Sequence, residues 1–287
     1  MNKFYFNDSP DAFGDLACER YKADTSLRGV DYKKEITASG VWEKINISSV
    51  EGAKSIGRPM GTYNTLNLGR MDLIDRECID DARDELAKNL VSLLEDMQIF
   101  PKRLLIAGLG NGDLTPDALG SLAASKIKPT LHIKQSDESF FTTLECSEIA
   151  VITPGVRATS GLDATDIIKG VCDVIKPNAV IAIDSIASGS TERLGSTIQI
   201  SNTGIIPGSG LGNAHRAINE QTVGIPVIAI GMPTVIDSRL FCRCDEEGGE
   251  TGHAEAMLVC PKEINEIVSV GAKIISGGIN IAFGLYS

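Results

Sequence analysis

Short, uninterrupted apolar runs alternate with amphipathic segments along most of this chain, and this alternation limits the folds it can adopt. Three runs are continuous, as in strands buried on both faces of a sheet: Leu104–Ala107, Ile149–Thr153 and Ala179–Ile183. Glu77–Met97 and Asp163–Ile175 instead carry apolar residues at every third or fourth position, which is typical of helices that cover a sheet. We therefore predict an α/β fold with a mostly parallel central sheet and helices on both faces.

The remaining elements are less sharply marked. Weak apolar alternation predicts short strands within 32–49, and the glycines of Ser55–Tyr63 predict a loop. Two further strands are expected at Thr197–Ile200 and Pro226–Ile230, and a closing helix at Pro261–Ala282. No repeat or linker divides the 287 residues. The sequence thus indicates one α/β domain preceded by an N-terminal segment that packs onto it or regulates it.

Charge and composition narrow the classes of function. Lys and Arg number 27 against 38 Asp and Glu, a net charge of −11, and aromatic residues make up only 5%. This balance argues against nucleic-acid or anionic-membrane partners. The sequence contains neither an apolar stretch long enough to span a membrane nor a secretory signal, and its seven cysteines follow no disulfide spacing. Reduced thiols in a cytosol-like compartment are expected.

Two aspartates stand where α/β proteins place their chemistry. Asp184 follows a predicted central strand, at the end where ligands of open sheets bind. Asp117 falls in the first turn of a predicted helix, with Thr115 as N-cap and Pro116 at the first position. If their strands are parallel, both carboxylates meet at one rim, where a pair can share a proton, activate water or hold a metal. From the pattern alone, the commoner explanation of either residue is structural: an aspartate at a helix start as a dipole partner, and an aspartate after a strand as a cap.

Two other groups of residues invite a binding interpretation. The glycine-rich loops Gly108–Asn111 and Gly204–Asn213 match neither a dinucleotide nor a P-loop motif, and such loops are more often tight turns than phosphate cradles. Cys242, Cys244, His253 and Cys260 have the residue types of a zinc site but not the spacing of a standard finger or ribbon.

Several segments, taken together and in order, resemble one family. The matching segments are Gly108–Asn111, Thr115–Gly120, Thr153–Val156, Thr165–Gly170, Lys176–Asp184, Thr197–Ser201, Pro207–Asn213, Gly224–Gly231 and Val259–Glu263. They are similar to segments of the germination proteases, the endopeptidases that degrade small acid-soluble spore proteins. The resemblance runs from about Asp15 to the end of the chain.

The resemblance implies a fold similar to that of hydrogenase-maturation endopeptidases and a catalytic pair made by Asp117 and Asp184. No metal or other cofactor is expected, because no histidine here matches the one that completes the metal site of those maturation enzymes. One carboxylate would take a proton from water while the other donates one. From their position after a strand, the backbone N–H groups of Gly110 and Asn111 are predicted to stabilise the oxyanion.

The resemblance also implies a zymogen that removes its own short pro-segment. Asp15-Leu16-Ala17-Cys18-Glu19 has the pattern of the family's substrates, so cleavage is expected between Asp15 and Leu16. Residues 1–15 would then be the pro-segment and residues 16–287 the peptidase domain, with 16–75 as an accessory N-terminal segment. The family further implies small acid-soluble spore proteins as substrates, a homotetramer, and a cytoplasmic location in the forespore or spore core.

Departures from the family pattern leave two other functions open. The 242–256 loop is short, and Gly189 stands where family members tend to carry Arg. An inactive or regulatory homologue is one alternative, and a metal-dependent maturation peptidase is the other.

Overall fold

The computed structural model describes residues 14–21, 27–209, 216–241 and 257–285. Within these ranges the strands join in one sheet, in the order β1-β2-β3-β7-β8-β6-β4-β5, with β9 paired to the end of β8. The strands are β1 Val30–Ile36, β2 Val41–Ile47, β3 Gly61–Asn67, β4 Arg103–Gly108, β5 Glu148–Ile152, β6 Ala179–Ser188, β7 Thr197–Ser201, β8 Val227–Asp237 and β9 Leu258–Val259.

The sheet is mixed rather than mostly parallel, which corrects the prediction. Strands β5, β4, β6 and β8 are parallel neighbours, whereas β1, β2, β3 and β7 join one another and β8 in antiparallel pairs. The cause lies in the connections. Only a short turn separates β1 from β2, and such a link can join only antiparallel neighbours, while parallel strands need a long crossover.

Helices cover both faces of the sheet, which confirms the predicted α/β class. Leu104 and Ile106 of β4 point into a core shared with the longest helices, α2 and α9, while Leu105 and Ala107 point into a core shared with α7. This alternation along one strand is what a two-sided sheet requires. The helices are α1 Val50–Ile56, α2 Arg76–Asp96, α3 Leu119–Ala124, α4 Leu131–Ser136, α5 Glu138–Thr143, α6 Arg157–Ser160, α7 Ala164–Ile175, α8 Glu220–Val223 and α9 Ile264–Ala282.

Strongly periodic segments were predicted well, and boundaries set by tertiary pairing were not. Helices α2 and α7 lie where the apolar period placed them. The predicted loop at 55–63 is wrong at both ends, because α1 extends to Ile56 and β3 begins at Gly61. Strands β6 and β8 run on to Ser188 and Asp237, since each supplies the other with a continuing hydrogen-bond partner.

None of the helices in the described ranges combines the length and the apolarity needed to cross a bilayer.

Candidate active site

Asp184 lies inside β6, four residues before its end, and not at the end as predicted. Its neighbour β4 pairs with β6 only as far as Ile183, so Asp184 is the first residue of β6 beyond the end of β4. On the other side β8 continues alongside. The early end of β4 therefore opens a gap in the sheet at Asp184, whose side chain is almost fully buried.

Asp117 reaches the same gap from the turn that follows β4. Residues Thr115–Asp117 form a 3-10 turn before α3, and Thr115 is not the N-cap: Leu114 holds that position without a side-chain hydrogen bond. Because the chain turns here before it becomes helical, Asp117 folds back on the loop after β4. The N–H of Asn111 donates to Asp117 Oδ2 at 2.7 Å.

A glycine is needed where this loop passes Asp117. Gly110 has φ of +86°, and a Cβ at this position would lie 2.1 Å from the backbone oxygen of Asp117. The N–H of Leu109, one residue earlier, donates to the carbonyl of Ile183 at 2.8 Å. These contacts fix the loop after β4 against β6 and bring the two aspartates to one cavity.

The cavity holds about 410 Å³ and is lined by Asp117, Asp184 and Asp15 among other residues. Burial raises the pKa of the Asp184 carboxyl well above its usual range, and the negative charge of Asp117 raises it further. Burial also raises the pKa of Asp117, but the N–H of Asn111 acts in the opposite direction. These surroundings favour the protonated form of Asp184 more strongly than that of Asp117.

The predicted oxyanion donors are only partly suited to that role. The N–H of Asn111 donates to the Asp117 carboxylate, so it is not available to a substrate oxyanion. Gly110 lines the cavity.

Two hydroxyls that the sequence did not lead us to expect also line the cavity. Ser185 Oγ and Thr234 Oγ1 are buried and have no hydrogen-bond partner in the described part of the chain. Both sit in continuous apolar strands, and a polar residue inside such a run was the available signal.

The predicted cleavage site adjoins this cavity. Asp15 lines it, while Leu16 and Ala17 are fully buried in a core with Ile45, Tyr63 and other apolar residues. Gly189, the noted departure from the family pattern, adjoins this segment: a Cβ on it would lie 2.8 Å from the backbone nitrogen of Gly14. A larger residue at 189 would therefore displace the segment.

The cysteine and histidine cluster is outside what the structure describes, because residues 242–256 fall in a gap between the described ranges. Cys260 is described and lines the cavity. Over the described ranges, no group of three His, Cys, Asp or Glu side chains is placed to share a metal ion. Burial raises the pKa of Cys18 to about 12, which keeps this thiol protonated and unreactive.

Comparison with known proteins decides the family. Residues 12–243 match the model of peptidase family A25, the germination proteases. This chain belongs to the germination protease family. The germination protease of Caldanaerobacter subterraneus subsp. tengcongensis is 34% identical, with 93% of this chain and 91% of that protein covered. That of Clostridium perfringens is 32% identical over 93% of this chain and 94% of the relative. Family membership makes the chain a peptidase, a hydrolase of spore germination that acts on protein.

Among solved structures, the chain is similar to a [NiFe] hydrogenase maturation protease, HycI from Thermococcus kodakarensis KOD1. The match covers 65% of this chain and 98% of the HycI chain. It is 18% identical, with a TM-score of 0.37. A likeness of this degree carries no argument about mechanism.

Proposed function

We propose that this chain is an aspartic-type endopeptidase that cuts small acid-soluble spore proteins, with Asp117 and Asp184 as its catalytic pair. It is made as a precursor that cuts its own chain between Asp15 and Leu16, and it works as a homotetramer in the cytoplasm of the forespore and spore core. The observation that carries the proposal is the meeting of both carboxyls and Asp15 in one cavity, from three separate parts of the chain.

The unequal surroundings of the two aspartates favour a division of roles. Asp184, the more deeply buried, keeps its proton and acts as the acid. Asp117, which accepts the Asn111 N–H, is ionised and acts as the base. In the proposed step Asp117 takes a proton from water as the water oxygen bonds to the scissile carbonyl carbon. Asp184 gives its proton to the amide nitrogen as the tetrahedral intermediate collapses, and the C–N bond breaks to release the free amine and the carboxylic acid. The proton taken up by Asp117 then returns the pair to its starting state when it passes to Asp184.

Charge on the carbonyl oxygen needs a donor in the transition state. The hydroxyls of Ser185 and Thr234 support this role, because they line the same cavity and have no partner within the described residues. A donor with no other partner needs no rearrangement before it can stabilise an oxyanion. We assign oxyanion stabilisation to these hydroxyls and to the backbone N–H of Gly110. Asn111 is not assigned this role, because its N–H donates to Asp117.

The test is digestion of a purified small acid-soluble spore protein, with products read by mass spectrometry. Asp117→Asn and Asp184→Asn should each lower the cleavage rate by about 10²- to 10⁴-fold, the usual contribution of a positioned acid or base. Asp113→Asn is the matched control, because Asp113 is an exposed aspartate of the same loop. Its rate should not change.

The outcomes separate the alternatives. Full activity in a folded Asp117→Asn or Asp184→Asn variant would place the chemistry elsewhere. Inhibition by a chelator that added metal reverses would favour the metal-dependent peptidase. Absence of cutting by the wild-type chain, with and without its first 15 residues, would favour the inactive homologue.

A further inference from the structure

The segment from Gly14 to Glu19 lies along a free edge of the central sheet. Beyond Ile183, strand β6 has lost β4 as a neighbour, and the N-terminal segment takes its place. The N–H of Asp15 donates to the carbonyl of Ala187 at 2.8 Å. The N–H of Ala187 in turn donates to the Asp15 carboxylate at 3.0 Å. Only the first of these two bonds joins backbone to backbone, and Ala17–Glu19 form a 3-10 turn rather than an added strand. The segment is therefore held on β6 mainly at sites that bind its side chains.

One such site encloses the Asp15 carboxylate. Besides the Ala187 N–H, Ser209 Oγ donates to it at 2.7 Å, and Arg58 Nη2 lies 3.4 Å from it. The same Arg58 nitrogen donates to the carbonyl of Gly14 at 2.6 Å. We call these three donors, from Arg58, Ala187 and Ser209, the Asp15 socket. It binds residue 15 by charge and by hydrogen bonds at once.

The Asp15 socket includes a donor that makes no hydrogen bond within the described residues, and it adjoins empty space. Arg58 Nε is buried and lacks a hydrogen-bond partner in the described part of the chain. A second cavity, of about 90 Å³, adjoins the socket and is lined by Arg58 and Ser209 as well as Asp15. The space beside Arg58 and Ser209 leaves room for an acidic side chain longer than aspartate.

A second site encloses the carboxylate four residues further on. Ser188 Oγ donates to Glu19 Oε1 at 2.7 Å, and the Gly189 N–H donates to Oε2 at 2.9 Å. We call these two donors the Glu19 socket. Between the sockets, Leu16 and Ala17 are fully buried, and the Ala17 N–H donates to Gln199 at 2.9 Å. The groove thus binds two acidic residues separated by three others, of which the first two, Leu16 and Ala17, are fully buried.

We infer that the Asp15 and Glu19 sockets are the specificity sites of the peptidase. A protein substrate replaces the segment along β6, with an acidic residue before the cleaved bond in the Asp15 socket and another, four residues later, in the Glu19 socket. This inference rests on the proposed function, because it takes the bond after residue 15 as the one that is cut. The assigned specificity residues are Arg58, Ser209 and Ser188.

The first test is a double-mutant cycle on self-cleavage, followed by intact mass. Asp15→Asn and Arg58→Met should each slow cleavage between residues 15 and 16 by about ten- to hundredfold, the worth of a hydrogen bond to a charged group. The combined variant should be slowed by less than the product of the two separate effects, because the Arg58–Asp15 ion pair is lost in both single variants and can be lost only once. Arg76→Met is the control, since Arg76 is exposed on α2 and its only ion pair in the described residues is with Asp80.

The second test is selectivity on an added substrate. A synthetic peptide with the sequence of residues 8–24 is compared with the same peptide carrying Asp15→Asn. The wild-type enzyme should prefer the first by about ten- to hundredfold in kcat/KM. Arg58→Met should lose most of that preference, and Ser209→Ala provides a second variant if Arg58→Met does not fold. A Glu19→Gln peptide paired with Ser188→Ala tests the other socket in the same way.

The results separate the two proposals. Folded variants that keep the wild-type preference, or a cycle in which the two effects add, would overturn the sockets and leave the peptidase intact. A wild-type enzyme that cuts a spore protein but neither peptide would do the same. A wild-type chain that cuts nothing would overturn the proposed function, and this inference with it.

Discussion

Replacement of Asp184 by asparagine should make the protein more stable at neutral pH while it removes activity. Asp184 is almost fully buried, and both burial and the charge of Asp117 raise the pKa of its carboxyl well above the usual range. Asparagine has nearly the same shape, and its Oδ1 can still accept the Ser185 N–H that Asp184 accepts at 3.0 Å. The change therefore removes the cost of ionising a buried acid and keeps the local hydrogen bond.

The magnitude follows from proton linkage. An acid whose folded-state pKa is raised holds a proton that the unfolded chain has already released. The stability contributed by this retained proton is fully present below the pKa of Asp in the unfolded chain, about 3.9. It is lost as the pH rises toward the pKa of Asp184 in the folded protein. Over that interval the wild-type free energy of unfolding falls by about 1.4 kcal/mol per pH unit relative to Asp184→Asn. For a chain of this size each kcal/mol corresponds to about 2–4 °C in Tm.

Urea unfolding of both proteins at intervals from pH 4 to pH 8 measures this difference directly. The two free energies should be close at pH 4 and diverge in favour of Asp184→Asn as pH rises, until the folded pKa is passed. Titrating groups that do not interact with Asp184 cancel, because both proteins contain them. A difference that does not change with pH, or a variant that is less stable at pH 8, would refute the argument that a buried charge at Asp184 is costly.

Two smaller predictions concern single side chains. Thr234→Val should lower kcat by about 10²- to 10³-fold without loss of stability, because its hydroxyl has no partner to lose in the described ranges. In Thr197→Val, a hydroxyl that donates to the backbone carbonyl of Arg193 is lost, so the melting temperature should fall while kcat stays unchanged. The same kcat loss in both variants would contradict the role of Thr234. Lys176→Gly should stabilise the fold by about 0.5–1 kcal/mol, because Lys176 ends α7 with φ of +49°. Lys169→Gly, inside α7, should destabilise it by about 1 kcal/mol, and thermal melts compare the two.

The candidate site was predictable in its aspartates and less so in its other members. Asp117 and Asp184 each follow a continuous apolar run, so the general rule for strand ends applies to both. Arg58 and Ser209 carry no such signal. They lie in separate loops and approach Asp15 only because strand β3 pairs with β7, which no local pattern encodes.

The sequence by itself determined the α/β class, the span of the long helices and the family. Each of these depends on residues near one another in the chain, on apolar periodicity or on short motifs. Tertiary structure alone decided that the sheet is mixed, that β6 runs on past Asp184 while β4 stops, and that Asp15 lies in the resulting gap. Those features depend on which strands become neighbours, and strand partners are selected by contacts between residues far apart in the chain.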